Sequence, residues 1–388
     1  MSIRSDFLKD VLICSIGAYG GPEAHMGVFI DQLVIKKKYL SEEDLIELMA
    51  LCSILPGPTS TQTIVSIGYK TGGPLLAFFT MLVWALPVII AMTLLSFLYQ
   101  FLALQNISQE GLRYIGPMAV GFIIVAAYRI GKKVVTDKVT IILFLLGAIT
   151  TYFIRSPWIF PIVLVIGGIT SVLLSKEQDL WNRVKLNPPW PYIIAFIGIA
   201  LGSIGLNLMW DNRILELFES FYRYGYLVFG GGQVVVPVMY SELVEVNRYM
   251  TNQEFLTGYG LVQGLPGPMF SFSAYAGGMA ARAGGALFQT VAALVSGIGI
   301  LLPGLLLIYF VYPIWENLKK IKGIKVSLKG INAVAGGLIF IAAIILMQRS
   351  GLEMDKILVT TVSILVLITK KLPAPILVVA ALLAGFMI

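Results

Sequence analysis

The sequence predicts an all-α polytopic membrane protein. It would hold two inverted homologous repeats of about six helical segments each, joined by one linker transmembrane helix, with Gly/Pro-broken helices. Three observations carry this expectation. Only 13% of the 388 residues are charged and 57% are hydrophobic, whereas soluble domains carry about 25% charged residues. So little charge cannot cover a water-facing surface, and the mean hydropathy is +0.86. The apolar stretches are long: Ile141 to Ile154, Trp158 to Leu174 and Tyr192 to Trp210 hold almost no ionisable group, and a spanning helix needs roughly 20 apolar residues. Finally, the second half repeats the first.

The repeat has a constant offset of 210. Gly20-Gly21 falls on Gly230-Gly231, Tyr39-Leu40-Ser41 on Tyr249-Met250-Thr251, and Leu55-Pro56-Gly57-Pro58 on Leu265-Pro266-Gly267-Pro268. Gly72-Gly73 matches Gly284-Gly285 after a two-residue shift. The apolar segments lie near 7–33, 49–69, 74–104, 114–131, 139–154 and 157–175, then near 219–240, 256–278, 284–314, 328–348, 357–369 and 373–388. Residues 1–180 form the first repeat and 216–388 the second; 181–215 is a linker with an extra span at Trp190 to Trp210. An even repeat followed by one extra span turns the second repeat over, which is a signature of secondary transporters.

Basic residues test the arrangement. With the N-terminus inside, most of the 28 Lys and Arg fall inside, as cytoplasmic loops require. Lys36-Lys37-Lys38 is the exception. A re-entrant hairpin in segment 1 or 2 would repair it and would change the count of spans. The net charge of +7 is accounted for by these loops, not by nucleic acid. No secretory cleavage site follows a compact apolar run. Cys14, Cys52 and the single His25 make no CxxC pair or His/Cys cluster, so no metal and no cofactor is expected.

Irregular backbone is tolerated in lipid only where protein or a water-filled cavity covers it, so the Gly and Pro clusters mark candidate sites. Gly20-Gly21-Pro22 would break one helix and start another. Glu23 and His25 then sit near a helix N-terminus inside the membrane, where an ionisable group is a functional hypothesis by default; an interfacial cap is the alternative. Pro56-Gly57-Pro58 and Pro266-Gly267-Pro268 would each end one helical piece and begin the next. The free N–H groups and dipole of such an end bind anions without a cationic side chain. Thr59, Ser60 and Thr61, and Ser271 and Ser273, would add hydroxyl donors. Two such ends converging near the midplane would suit a small tetrahedral dianion; two Pro-kinked packing helices are the alternative.

The break at Gly230-Gly231-Gly232-Gln233 matches the first, but Glu23 has become Gln233 and His25 has become Val235. Ion coupling is therefore assigned to Glu23 and His25. Arg113 and Arg282 are candidate cations on the anion path, with interfacial snorkelling as the competing role. Gly17/Gly21, Gly68/Gly72 and Gly198/Gly202 permit close helix packing. There is no G-x-x-x-x-G-K-[ST], H-E-x-x-H or G-x-S-x-G, so neither ATP hydrolysis nor enzymatic catalysis is expected. An ion gradient or the membrane potential would supply the energy.

With these motifs assembled, the chain resembles the chromate ion transporter family in its long-chain, two-domain form. Tyr19-Gly20-Gly21-Pro22-Glu23-Ala24-His25 is similar to the family's FGGP-x-AH signature with Tyr for Phe. Phe229-Gly230-Gly231-Gly232 and the two Leu-Pro-Gly-Pro blocks resemble its FGGG and LPGP blocks. The resemblance implies homologous halves in opposite orientation and efflux of chromate across the cytoplasmic membrane, with sulfate as the related oxyanion. Membrane lipid is the implied surround and a homodimer one expected assembly. A passive anion channel, a transporter of a different small anion, an embedded enzyme and a subunit of a larger complex are the rival functions.

Overall fold

The computed structural model describes residues 3–104, 109–154, 159–181, 184–229 and 232–387, which form helices and turns and no strand. The order is α1 (Ile3–Gly17), α2 (Pro22–Phe29), α3 (Glu42–Ile54), α4 (Thr59–Leu104), α5 (Ile115–Val134), α6 (Lys138–Phe153), α7 (Ile159–Leu173), α8 (Trp190–Met209) and α9 (Arg213–Leu227). There follow α10 (Val235–Tyr240), α11 (Asn252–Val262), α12 (Phe272–Ala280), α13 (Ala286–Gly299), α14 (Leu302–Val311), α15 (Trp315–Leu318), α16 (Lys322–Ser350), α17 (Met354–Thr369) and α18 (Ala374–Met387). Five stretches are long and apolar enough to cross a membrane: Thr59–Ala103, Glu110–Val134, Trp190–Met209, Ala286–Leu318 and Lys322–Ser350. The chain is thus a helical, multi-pass membrane protein.

The first two segments of each half are helical hairpins rather than single spans. α1 has 15 residues, a rise of about 22 Å, too short for a hydrocarbon core of roughly 30 Å. The chain reverses through Gly20 and Gly21, whose φ values of +91° and +89° favour glycine. It returns through α2 and a π-helical turn, Ile30–Lys36. At the open end Gln32 Nε2 donates to Asp10 Oδ1 at 2.8 Å and the Tyr39 hydroxyl to Asp10 Oδ2 at 2.7 Å. Lys37 pairs with Asp10 at 3.3 Å, and the Phe7 and Tyr39 rings meet edge to face at 5.0 Å. Lys36-Lys37-Lys38 therefore lies at the same end of the hairpin as the start of α1.

The second hairpin pairs α3 with the first turns of α4. A capping box between Ser41 and Asp44 starts α3. Lys70 Nζ closes on Asp44 Oδ1 at 2.6 Å, and Cys52 Sγ lies 3.6 Å from Ser66 Oγ nearer the tip. α4 then breaks at Gly72 and Gly73 (φ −157° and +80°), and the stretch from Pro74 is the span. The second half does the same. Ser220 Oγ donates to Glu242 Oε1 at 2.9 Å, at positions 210 beyond Asp10 and Gln32. Tyr249 bonds Glu216, and Arg282 pairs with Glu254 at 3.1 Å. The thirteen apolar segments are thus not thirteen crossings.

The remaining helices enclose the hairpins. α16 packs against α5, α6 and α7, and glycines let the backbones touch: a Cβ on Gly337 would strike the Phe144 carbonyl oxygen, and one on Gly330 the Gly167 carbonyl. Close approach of this kind is how helices associate where lipid removes the hydrophobic drive. α8 rests on α9 and α14 and presents Ile194, Leu201 and Leu208 outward, 64%, 65% and 83% exposed, as a lipid-facing helix does. The Gly198/Gly202 pair expected to pack meets nothing within 4 Å.

Candidate functional site: the meeting of four hairpin tips

Each half holds the Pro-Gly-Pro turn of the other. Gly57 N–H donates to the Val228 carbonyl at 2.8 Å, and Gly267 N–H donates to the Ala18 carbonyl at 2.8 Å. Both donors and both acceptors stand 210 apart in sequence, so the contact is reciprocal in the manner of a two-fold interface. The turns are built for this. Gly57 and Gly267 have φ +124° and +95°. Gln62 Nε2 donates to Pro56 O at 2.7 Å and fills the space beside Gly57, where a Cβ would lie 2.7 Å from that nitrogen.

A cavity with an empty volume of about 320 Å³ lies between the tips, lined by Gly21, His25, Pro58, Thr59, Ser60, Thr61, Gln233, Pro268, Met269 and Phe270. Every outgoing helix starts there: α2 behind Gly21, α4 at Thr59, the 3-10 turn Gly232–Val234 leading into α10, and the 3-10 turn Met269–Ser271 leading into α12. Gly21 and Pro268 bring no side-chain cap. The first N–H groups of these helices and their positive dipole ends are thus directed at one place. Among the described residues no lysine or arginine lines the cavity.

The first half supplies the polar wall. His25 is 2% exposed, and its Nδ1 lies 3.0 Å from Ser60 Oγ. The ring meets the Trp84 indole edge to face at 5.3 Å, and Trp84 Nε1 donates to Thr61 Oγ1 at 3.1 Å. Ser15 Oγ holds the Trp84 carbonyl at 2.7 Å and Phe29 abuts the indole. The second half supplies Gln233 and the apolar side chains of Met269 and Phe270.

Most residues expected at the site meet here. Gly20, Pro56, Gly57, Pro266 and Gly267 form the turns, and Gly21, His25, Pro58, Thr59, Ser60, Gln233 and Pro268 line the cavity. Ser271 is fully buried, and its hydroxyl makes no hydrogen bond among the described residues. Ser273 turns its hydroxyl to the Phe270 carbonyl. Gly232 opens its 3-10 turn, whereas Gly230 and Gly231 lie outside the described residues. Pro22 and Glu23 begin α2, and their side chains lie outside the description. The two arginines are elsewhere: Arg113 Nη2 pairs with Asp355 at 2.5 Å, and Arg282 with Glu254 at the open end of its hairpin. Trp84, Met269 and Phe270 were not expected. Met269 and Phe270 stand at the repeat positions of Thr59 and Ser60, so their place was readable although their chemistry drew no notice.

A multi-pass helical membrane protein with a small cavity lined by interrupted helix ends is the class these observations define. The chain belongs to the chromate transporter family, whose sequence pattern matches residues 6–172 and again 215–386. It is 26% identical over 374 residues to the probable chromate transport protein of Synechococcus elongatus, covering 95% of this chain and 91% of that one. It is equally 26% identical to the chromate transport protein of Cupriavidus metallidurans, covering 95% and 88%. An uncharacterized transporter of Bacillus subtilis, YwrA, is 26% identical over 182 residues, 44% of this chain and 94% of its own length. No solved structure matches this chain.

Proposed function

We propose that the protein is a secondary active transporter of chromate or a related small oxyanion such as sulfate, working as an efflux system in the cell membrane and coupled to an ion gradient. The convergence of four helix N-termini on one cavity without a lysine or arginine carries this reading. Backbone N–H groups and dipole ends hold an anion firmly enough to select it and loosely enough to release it. The names borne by the relatives supply chromate. His25 and Ser60 add side-chain partners, and Glu23 and His25 are the groups assigned to coupling.

The same reading orients the halves, 1–180 and 216–388 about the linker 181–215. Two hairpins in place of two spans remove an even number of crossings from each half, so α8 alone still turns the second half over. Under that scheme Lys319–Glu47 and Lys329–Asp137 (both 2.5 Å) share the N-terminal side. Arg113–Asp355 and Arg349–Glu245 (4.0 Å) share the other. Among the described residues no ion pair is required to join opposite faces, which supports the inversion.

The test is chromate flux in proteoliposomes containing the purified chain, with and without an imposed proton gradient, and with sulfate, molybdate and phosphate as competitors. Transport driven by the gradient and blocked by tetrahedral oxyanions is expected. Flux that ignores every imposed gradient of another ion would instead make it a passive channel, and absence of oxyanion flux would end the proposal.

A further inference from the structure

Three ionisable side chains are buried together in the third hairpin. Arg223 Nε and Nη2 donate to the two oxygens of Glu219 at 2.7 and 3.1 Å. Arg223 Nη1 and Nη2 donate to the two oxygens of Glu242 at 3.0 and 2.8 Å. Their side chains are 3%, 7% and 8% exposed. Two carboxylates face one guanidinium, which is always charged, so the group with both carboxylates ionised carries one surplus negative charge. Inside a membrane protein such a charge is costly.

The surplus is not needed to close the hairpin. The first-half hairpin is clasped by Gln32 donating to Asp10, and the second keeps that clasp as Ser220 donating to Glu242. The repeat positions of Glu219 and Arg223 are Lys9 and Ile13. In the first half the charge of Asp10 is answered by Lys37. The second half therefore carries a carboxylate and an arginine that the first half does without.

Two polar groups lie next to the cluster. The fully buried Tyr224 hydroxyl sits beside the Glu242 carboxylate. Ser241 Oγ, buried beside Glu242 in the chain, makes no hydrogen bond among the described residues. Ser241 and Glu245 line a cavity with an empty volume of about 350 Å³, on the π-helical turn Ser241–Val246. Turns of that kind gather at functional sites. The helices packed on α9, namely α8, α10, α13 and α14, contain no Asp, Glu, Lys, Arg or His. Glu216, Arg213 and Tyr249 pair among themselves at the open end of the hairpin.

We infer that Glu219, Arg223 and Glu242 form a proton-binding site that takes up and releases one proton on the carboxylate pair. The proton is exchanged between solvent and a carboxylate oxygen, and Arg223 stays charged throughout. Arg223 lies five residues, about 7.5 Å along the helix, from Val228, whose carbonyl holds the Gly57 turn. Loading the proton alters the charge on the hairpin that positions the central cavity. A role in coupling rests on the transport reading above; the proton itself does not.

Infrared difference spectra of the full chain in nanodiscs, labelled with ¹³C-glutamate and taken between acidic and alkaline buffer without any oxyanion, test this. Wild type should show a protonated glutamic acid band that persists at neutral pH, where solvent-exposed glutamates are ionised. Glu219→Gln and Glu242→Gln should each lose it, since either leaves a neutral one-to-one pair, while Glu23→Gln should keep it. Both Gln variants should melt no lower than wild type; a purely structural clasp would lower both. No wild-type band at neutral pH, or its persistence in either Gln variant, overturns the inference. The wild-type band serves even if a variant fails to fold, and it stands or falls apart from chromate flux.

Discussion

The backbone N–H of Gly57 reaches across the molecule to the carbonyl of Val228 at 2.8 Å, and Gly267 answers it on Ala18 at the same distance. These two bonds join the four hairpin tips in two pairs, second with third and fourth with first, and the cavity lies between them. Gly57→Ala puts a Cβ into Gln62 at a φ of +124°, whereas a Cβ on Gly267 meets Val88 at 3.1 Å. Left-handed strain costs about 1–3 kcal/mol. Thermal unfolding in detergent should show Gly57→Ala as the more damaging of the two, and both should reduce flux.

The hairpins predict a sidedness. Cysteines placed at Lys9 and at Lys37 should react with a membrane-impermeant maleimide from the same face of the bilayer. Labelling from opposite faces would mean that the first segment crosses.

Trp84 orders the polar wall without lining the cavity. Trp84→Phe keeps the ring beside His25 but removes the donor to Thr61 Oγ1, a bond worth about 1 kcal/mol. Oxyanion affinity should fall several-fold, with little change in expression. An unchanged affinity would remove Thr61 from the site.

Asp137 caps α6 through the Thr140 N–H and pairs with Lys329 at 2.5 Å. The Lys329 ammonium first, then the capping N–H, holds its carboxyl down at about 2. A group whose folded value lies below its ordinary 3.8 stabilises the fold above that ordinary value. The contribution fades as pH falls toward about 2. Asp137→Ala should cost about 1 kcal/mol from the lost cap at neutral pH, and less in acid, measured by unfolding at the two pH values.

The breaks were legible before the structure because Gly-Gly-Pro and Pro-Gly-Pro admit few backbone paths, and the repeat put them in register. The reversal at each break was not legible. A pair of helices of about half a membrane each has the same composition as one interrupted span. What separates them is contact between residues far apart, such as Asp10 with Gln32 or Asp44 with Lys70. Arg113 misled for a related reason: its partner Asp355 is 242 residues away. Trp84 gave no local sign that it would buttress His25, since a lone aromatic in an apolar run is also what a lipid-facing helix carries.

The bonds from Gly57 and Gly267 use only main-chain atoms, so the handshake between halves is blind to side chains. The two walls of the cavity can differ without undocking, and they do: Thr59 and Ser60 on one side, Met269 and Phe270 at the matching positions on the other. The result is a cup with one wet wall and one that is greasy except at Gln233. An anion seated there would shed its water unevenly, keeping a hydrogen-bonded face toward the first half and a bare face toward the second.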